Sequence, residues 1–393
     1  MRERLGFVRG LGCALGACLL LVSLGAGTAR AQVPEDIYQA MLRIGQIVDP
    51  ACTAVLYRPL MPANDYNSGA TPLYPGIDVA RDVSFGPHPK DLVDIFSDAG
   101  GGQGRPVVIY IPGGGGNKIE QQNREANAFY DNIGRWAVKN GMVGVLMQRH
   151  PGNTWDDPGR HVGQLVQWLQ FNVSGYGGDA GYMVAWAQSA GNGPLGTYIG
   201  RPELQPPSGV GLRGAVLMAG GFNAAPLAGG GGGGRGGRGG PGGGDGPVAG
   251  ATCNAGGPGA SDGAIEGPSS ALIDGTVAGR GGAGRGGPAG GGPAGGGRGQ
   301  VDEVTQLQRS SLPELRTSDI QLFLVTPELD PGISGEMSTF YQALSDDLCA
   351  VSQERCPTTL FAERHNHMSV VFSPDTADTS VSGPVLEWIR ELD

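Results

Sequence analysis

Five short, nearly unbroken apolar runs, at residues 106–111, 142–148, 183–188, 214–218 and 320–325, recur along the chain, each bounded by residues that favour turns. Runs of this length without polar alternation predict strands buried on both faces. Between them lie stretches with helical spacing. Residues 123–140 place Phe129, Ile133, Trp136 and Ala137 on one face, and residues 159–171 do the same with Val162, Leu165, Val166 and Leu169. A last helix is expected over 385–392, with Pro384 suited to its first turn. Buried strands separated by helices need cover on both sides, so the expected fold is α/β, a mostly parallel central sheet with helices on both faces.

A biased segment interrupts that pattern. Residues 229–300 hold 34 glycines in 72 positions, with Arg-Gly-Gly clusters around Arg235 and Arg238 and around Arg280 to Arg285. No strict three-residue glycine period runs through it, which excludes collagen. Its side chains bury too little apolar surface to offset the entropy of ordering glycine, so a largely disordered low-complexity insertion is expected. Its net charge of +1 is weak for binding single-stranded RNA. The flanking segments, 32–228 and 301–393, read as the two parts of one domain.

Residues 1–31 have the pattern of an export signal: Arg2, Arg4 and Arg9, an apolar run over 14–26, then Ala29-Arg30-Ala31 before Gln32. The run is short for a membrane span, so an exported protein, periplasmic or secreted, with no stable span after signal removal is expected. Export would leave Cys52, Cys253, Cys349 and Cys356 in an oxidising compartment. Cys349 and Cys356 form the natural local pair, which leaves Cys52 to meet Cys253. The net charge of −10, or −13 without the leader, argues against a nucleic-acid partner.

The chemistry is concentrated in two motifs. Ala187-Gln188-Ser189-Ala190-Gly191 follows the apolar run at 182–186 and precedes residues 193–199, which can start a helix. A strand, a sharp turn and a helix with serine at the apex form a nucleophile elbow, in which the residues two before and two after the serine must be small. Ala187 and Gly191 meet that need and make Ser189 the candidate nucleophile. The N–H of Ala190, just after it, is a candidate donor to an oxyanion. The second motif is Ile111-Pro112-Gly113-Gly114-Gly115-Gly116-Asn117, straight after the strand expected at 106–111. Glycines there let the backbone approach a ligand and turn its N–H groups inward, as in an oxyanion hole. A phosphate loop is the rival, but Lys118 is not followed by Ser or Thr.

Taken with Asp82-Val83-Ser84-Phe85-Gly86, Asp91-Leu92-Val93-Asp94-Ile95-Phe96, Trp168-Leu169-Gln170-Phe171-Asn172 and Tyr176-Gly177-Gly178-Asp179, these motifs resemble the α/β-hydrolase carboxylesterases. The likeness is to the branch holding hormone-sensitive-lipase-like esterases, bacterial feruloyl-type esterases and kynurenine formamidases. It covers about residues 82–222 and 320–369. The resemblance implies an α/β-hydrolase fold and oxyanion donors at Gly113 or Gly114. Pro112 stands where that family usually has a histidine, so the usual anchor of the loop is missing. The family's triad runs serine, acid, histidine along the chain. Asp330, in Thr326-Pro327-Glu328-Leu329-Asp330-Pro331, matches the turn that carries the acid, with Glu328 as runner-up. The family's base precedes an apolar residue, which in Arg364-His365-Asn366-His367-Met368-Ser369 selects His367 over His365.

The expected function is hydrolysis of a small-molecule carboxylic ester through an acyl-enzyme, with no cofactor or metal required. An amidase or arylformamidase would use the same residues, and a noncatalytic binding protein on this fold is the other alternative. A zinc site at His365 and His367 lacks carboxylates and cysteines at ligand spacing.

Overall fold

The computed structural model describes residues 32–61, 74–114, 129–150, 152–220, 312–333 and 336–392. The leader, the Gly-rich tract with Cys253, residues 115–128 and the domain boundary near 228 and 301 lie outside the described residues.

Eight strands make one sheet: β1 (Ile77–Ser84), β2 (Leu92–Asp98), β3 (Arg105–Ile111), β4 (Val143–Met147), β5 (Gly178–Gln188), β6 (Gly214–Met218), β7 (Gln321–Leu329) and β8 (Thr358–Asn366), in the order β1-β2-β4-β3-β5-β6-β7-β8. β1 and β2 run antiparallel to their neighbours, and the other six are parallel. The helices used below are α1 (Glu35–Ile44), α2 (Pro50–Tyr57), α3 (Asp131–Lys139), α4 (Asp157–Asn172), α5 (Asn192–Gly200), α6 (Glu336–Val351), α7 (Ser369–Phe372) and α8 (Ser382–Glu391). Helices cover both faces. Along β3, Val108 and Tyr110 enter a core with Trp136, Trp186 and Phe323, while Val107, Ile109 and Ile111 enter the opposite one with Leu165, Leu169 and Leu344. That alternation is the two-residue period of a strand buried on both sides.

The five central strands are those marked by apolar runs. β1, β2 and β8 carry no such signal, for physical reasons. Asp94 interrupts β2 but is fully buried and accepts from the Arg81 guanidinium at 2.9 Å and the Asp82 backbone N–H at 2.9 Å. Its partners satisfy the charge that makes the segment look unlike a strand. β8 is an edge strand whose first four residues are partly or fully exposed, so polar residues are tolerated there.

Cys349 and Cys356 form a disulfide that ties the end of α6 to the approach of β8. Cys52 is buried in α2. Among the described residues, no helix is long and apolar enough to cross a membrane.

The parallel strands share a carboxyl edge. Immediately past their ends come Pro112-Gly113 after β3, Ser189 after β5, Asp330 after β7 and His367 after β8. In open α/β sheets this edge is where ligands bind.

Candidate active site

Ser189 begins the turn between β5 and α5 with φ of 52°, in the left-handed region that side chains rarely adopt. Strain of this kind, on the order of 1–3 kcal/mol, persists only where the surroundings hold it. Two contacts do so. A Cβ on Gly191 would lie 2.4 Å from the carbonyl oxygen of Ile111, so the turn fits against β3 only with glycine there. The buried Asn192 side chain donates to the carbonyls of Ser189 and Met218 at 3.0 Å each and accepts from the Met218 N–H at 3.2 Å, pinning the elbow to the end of β6.

The side chains chosen from the sequence meet at Ser189. His367 Nε2 is 2.8 Å from Ser189 Oγ, and its Nδ1 is 2.7 Å from Asp330 Oδ2. Asp330 is 3% exposed and His367 7%. The other oxygen of Asp330 accepts from the Gly332 N–H at 2.7 Å, which fixes the carboxylate plane. The His367 loop is built by Asn366, whose Oδ1 accepts from the N–H groups of Met368 and Ser369 at 3.0 and 2.8 Å and whose Nδ2 donates to Thr53 Oγ1 at 3.0 Å. Gln188 Nε2 reaches the His367 carbonyl at 3.2 Å.

The runner-up residues have other partners. Glu328 accepts from the Tyr38 hydroxyl at 3.0 Å and the Arg364 N–H at 2.6 Å, tying α1 to the bend in β8. His365 is fully buried, with Nδ1 2.9 Å from Ser369 Oγ and Nε2 2.8 Å from Ser380 Oγ and 3.3 Å from Asp378 Oδ2. Burial holds its pKa below the usual histidine value despite Asp378. The folded protein therefore takes up fewer protons than the unfolded chain as pH falls through the ordinary histidine range near 6.5, so the stability His365 contributes is present above that range and lost below it. The midpoint of thermal unfolding should fall from pH 7 to pH 5, and His365→Gln should flatten that fall. An unchanged slope would assign the acid sensitivity elsewhere, His161 being the other histidine whose pKa is lowered by burial.

Gly113 lies against the elbow: a Cβ there would come within 2.3 Å of Gln188 Oε1 and 2.7 Å of Ser189 Cβ. Gly114 follows with φ of 53°. Ala190 belongs to the helical turn Ser189–Gly191, where the N–H groups have no helical acceptor. Gly115 lies outside the described residues.

Arg149, two residues past β4, carries no motif and is not singled out by sequence reasoning. Its Nε donates to the Pro112 carbonyl at 2.6 Å and a terminal nitrogen to the Gly114 carbonyl at 2.9 Å. Desolvation brings its pKa down to about 10, which leaves it charged at neutral pH. With both carbonyls drawn to one guanidinium, the peptide groups of Pro112 and Gly114 are held in one orientation. A lone arginine after a central strand is the one trace it leaves in the sequence.

No family model and no curated protein matches the sequence. Solved structures do resemble the fold. Esterase B from Lactobacillus rhamnosis is 13% identical with a TM-score of 0.50, covering 91% of this chain and 95% of that one. The structure of esterase B inhibited with a tributyrin phosphonate is 12% identical with a TM-score of 0.50, covering 91% and 96%. A bacterial heroin esterase gives 14% identity over 91% and 98%, with a TM-score of 0.48. Sheet order, strand directions and the esterase B likeness agree that the chain has the α/β-hydrolase fold.

Proposed function

We propose that the protein is an exported serine hydrolase that cleaves carboxylic esters through an acyl-enzyme. The observation that carries this reading is the continuous contact from Ser189 Oγ through His367 to the buried Asp330 carboxylate. Ser189 Oγ attacks the ester carbonyl while His367 Nε2 takes its proton. Asp330, at Nδ1, sets the tautomer that leaves Nε2 free to accept and stabilises the imidazolium that forms. N–H groups of Gly113, Gly114 and Ala190 receive the negative oxygen of the tetrahedral intermediate. On its collapse the imidazolium protonates the leaving alcohol, and water activated by His367 then releases the acid. Export is supported by the leader pattern and agrees with the Cys349–Cys356 disulfide.

The test is labelling and turnover on one preparation. A short-chain alkyl phosphonate, chosen because esterase B is inhibited by a tributyrin phosphonate, should add covalently to Ser189, and p-nitrophenyl butyrate should be hydrolysed. Faster turnover of an aryl formamide than of the ester would move the reading to an amidase. Absence of both labelling and turnover would make the protein a noncatalytic binder.

Arg149 acts in this reading as a positioning residue. Arg149→Met should lower kcat by about 10²- to 10³-fold, the usual cost of losing one oxyanion donor, with KM changed much less. Arg149→Lys should recover part of the loss, because an ammonium cannot reproduce the planar fork that serves two carbonyls. A change confined to KM, or to thermal stability, would remove Arg149 from this role.

A further inference from the structure

Three of the chain's five histidines lie outside the site just described and meet one another. The His88 and His150 rings stack with centroids 4.0 Å apart, and His161 stacks on the far side of His150 at 3.9 Å. The loop before β2 supplies His88 and Asp91, the segment after β4 supplies His150, and α4 supplies His161. Since β2 and β4 are antiparallel neighbours, the start of one lies beside the end of the other, at the carboxyl edge of the sheet.

Asp91 is buried beside these rings. Its Oδ2 accepts from the His88 backbone N–H at 2.9 Å, which leaves Oδ1 turned to His150 Nε2 at 3.0 Å. Gly86 leaves space for that carboxylate, since a Cβ there would meet Asp91 Oδ2 at 2.4 Å. One nitrogen from each of His88 and His150 and one oxygen of Asp91 all lie within 4.8 Å of one another. Beside them opens a cavity of about 490 Å³, also lined by Lys90, Arg160, His161 and Gln164. His161 Nδ1 and Gln164 Oε1, both shut off from solvent, have no hydrogen-bond partner among the described residues.

We propose that His88, Asp91 and His150 form a binding site for a first-row divalent transition metal, with a fourth position open to the cavity. Two imidazoles and one carboxylate are a donor set for zinc and its neighbours. Bonds of about 2.0–2.2 Å place tetrahedral ligands roughly 3.4 Å apart. Asp91 and His150 are already near that spacing; His88 must swing off the face of His150, because rings 15° from parallel and 4.0 Å apart cannot both point a nitrogen at one ion, and its exposed position gives it room to do so. The His88 N–H on Asp91 Oδ2 is the outer hydrogen bond that orients a ligating carboxylate. Metal binding at Nε2 takes the place of the His150–Asp91 hydrogen bond, with the proton of the neutral imidazole on Nδ1. Lys90 favours an anionic oxygen as the fourth ligand, whereas Arg160 is already paired with Asp156 at 2.9 Å. None of this depends on the ester-hydrolase reading.

The experiment is calorimetric titration of the chelator-treated full chain with Zn²⁺ at pH 7.5, paralleled by Co²⁺ and its visible absorption. One equivalent should bind with micromolar or tighter affinity, and His88→Ala and His150→Gln should each weaken it by at least about tenfold. His88→Ala changes an exposed ring, and an unaltered melting curve in chelator will show that the fold persists. His367→Asn, which breaks the histidine–carboxylate pair beside Ser189, should bind metal as the parent does. No saturable one-to-one binding below 100 µM (~5.5 kcal/mol), binding that survives His88→Ala, or binding lost in His367→Asn instead would each overturn the assignment.

Discussion

Ser189→Ala should lower kcat for p-nitrophenyl butyrate by about 10⁵- to 10⁶-fold, with KM and the melting temperature nearly unchanged. The size follows from what is lost: without Oγ no acyl-enzyme forms, and what remains is water attack helped by the oxyanion donors. His367→Ala should cost about as much, since a serine hydroxyl without a base at Nε2 is a weak nucleophile. The double variant should be hardly worse than either single one, because residues that act as a unit are grossly non-additive. Steady-state assays with phosphonate titration of active sites will show this. Turnover of Ser189→Ala within tenfold of the parent would remove the serine from the reaction.

The second large effect separates two acids that are two residues apart. Asp330→Asn should reduce kcat by about 10⁴-fold, because an amide at that position favours the imidazole tautomer with its proton on the wrong nitrogen. Glu328→Gln should stay within a few-fold, since its oxygens accept from Tyr38 and Arg364 and not from His367. The two changes have equal charge and nearly equal volume, so general destabilisation would affect both. Equal losses in the pair would count against Asp330 as the orienting acid.

Much of the site is legible in the sequence because it sits at strand ends. β3, β5 and β7 announce themselves as apolar runs, and Gly113, Ser189 and Asp330 are the residues that follow them. His367 is harder, since β8 is an edge strand with exposed residues and no apolar signature, and only the resemblance of the run from Arg364 to Ser369 to the esterase pattern marks it. Asn192 and Arg149 escape altogether. Both act through backbone carbonyls distant in sequence, at Met218 and Pro112, and no local pattern marks an acceptor that tertiary packing brings near. The triple imidazole stack escapes for the same reason, its members coming from a loop, a strand end and a helix. Polar residues inside β2 hide it as well, because only the folded chain shows Arg81 waiting for Asp94.

The fit of Gly191 against Ile111, together with that of Gly113 against Ser189, has a consequence for how such a sequence can drift. Each glycine is held by atoms of the opposite segment, Gly191 by the end of β3 and Gly113 by Ser189. A methyl group gained at either position would part the serine from the loop that must face it. The two stretches, some 76 residues apart in number, therefore behave under mutation as one inherited unit. Variation around Ser189 must accumulate at other positions, where a side chain can grow without forcing these two backbones apart.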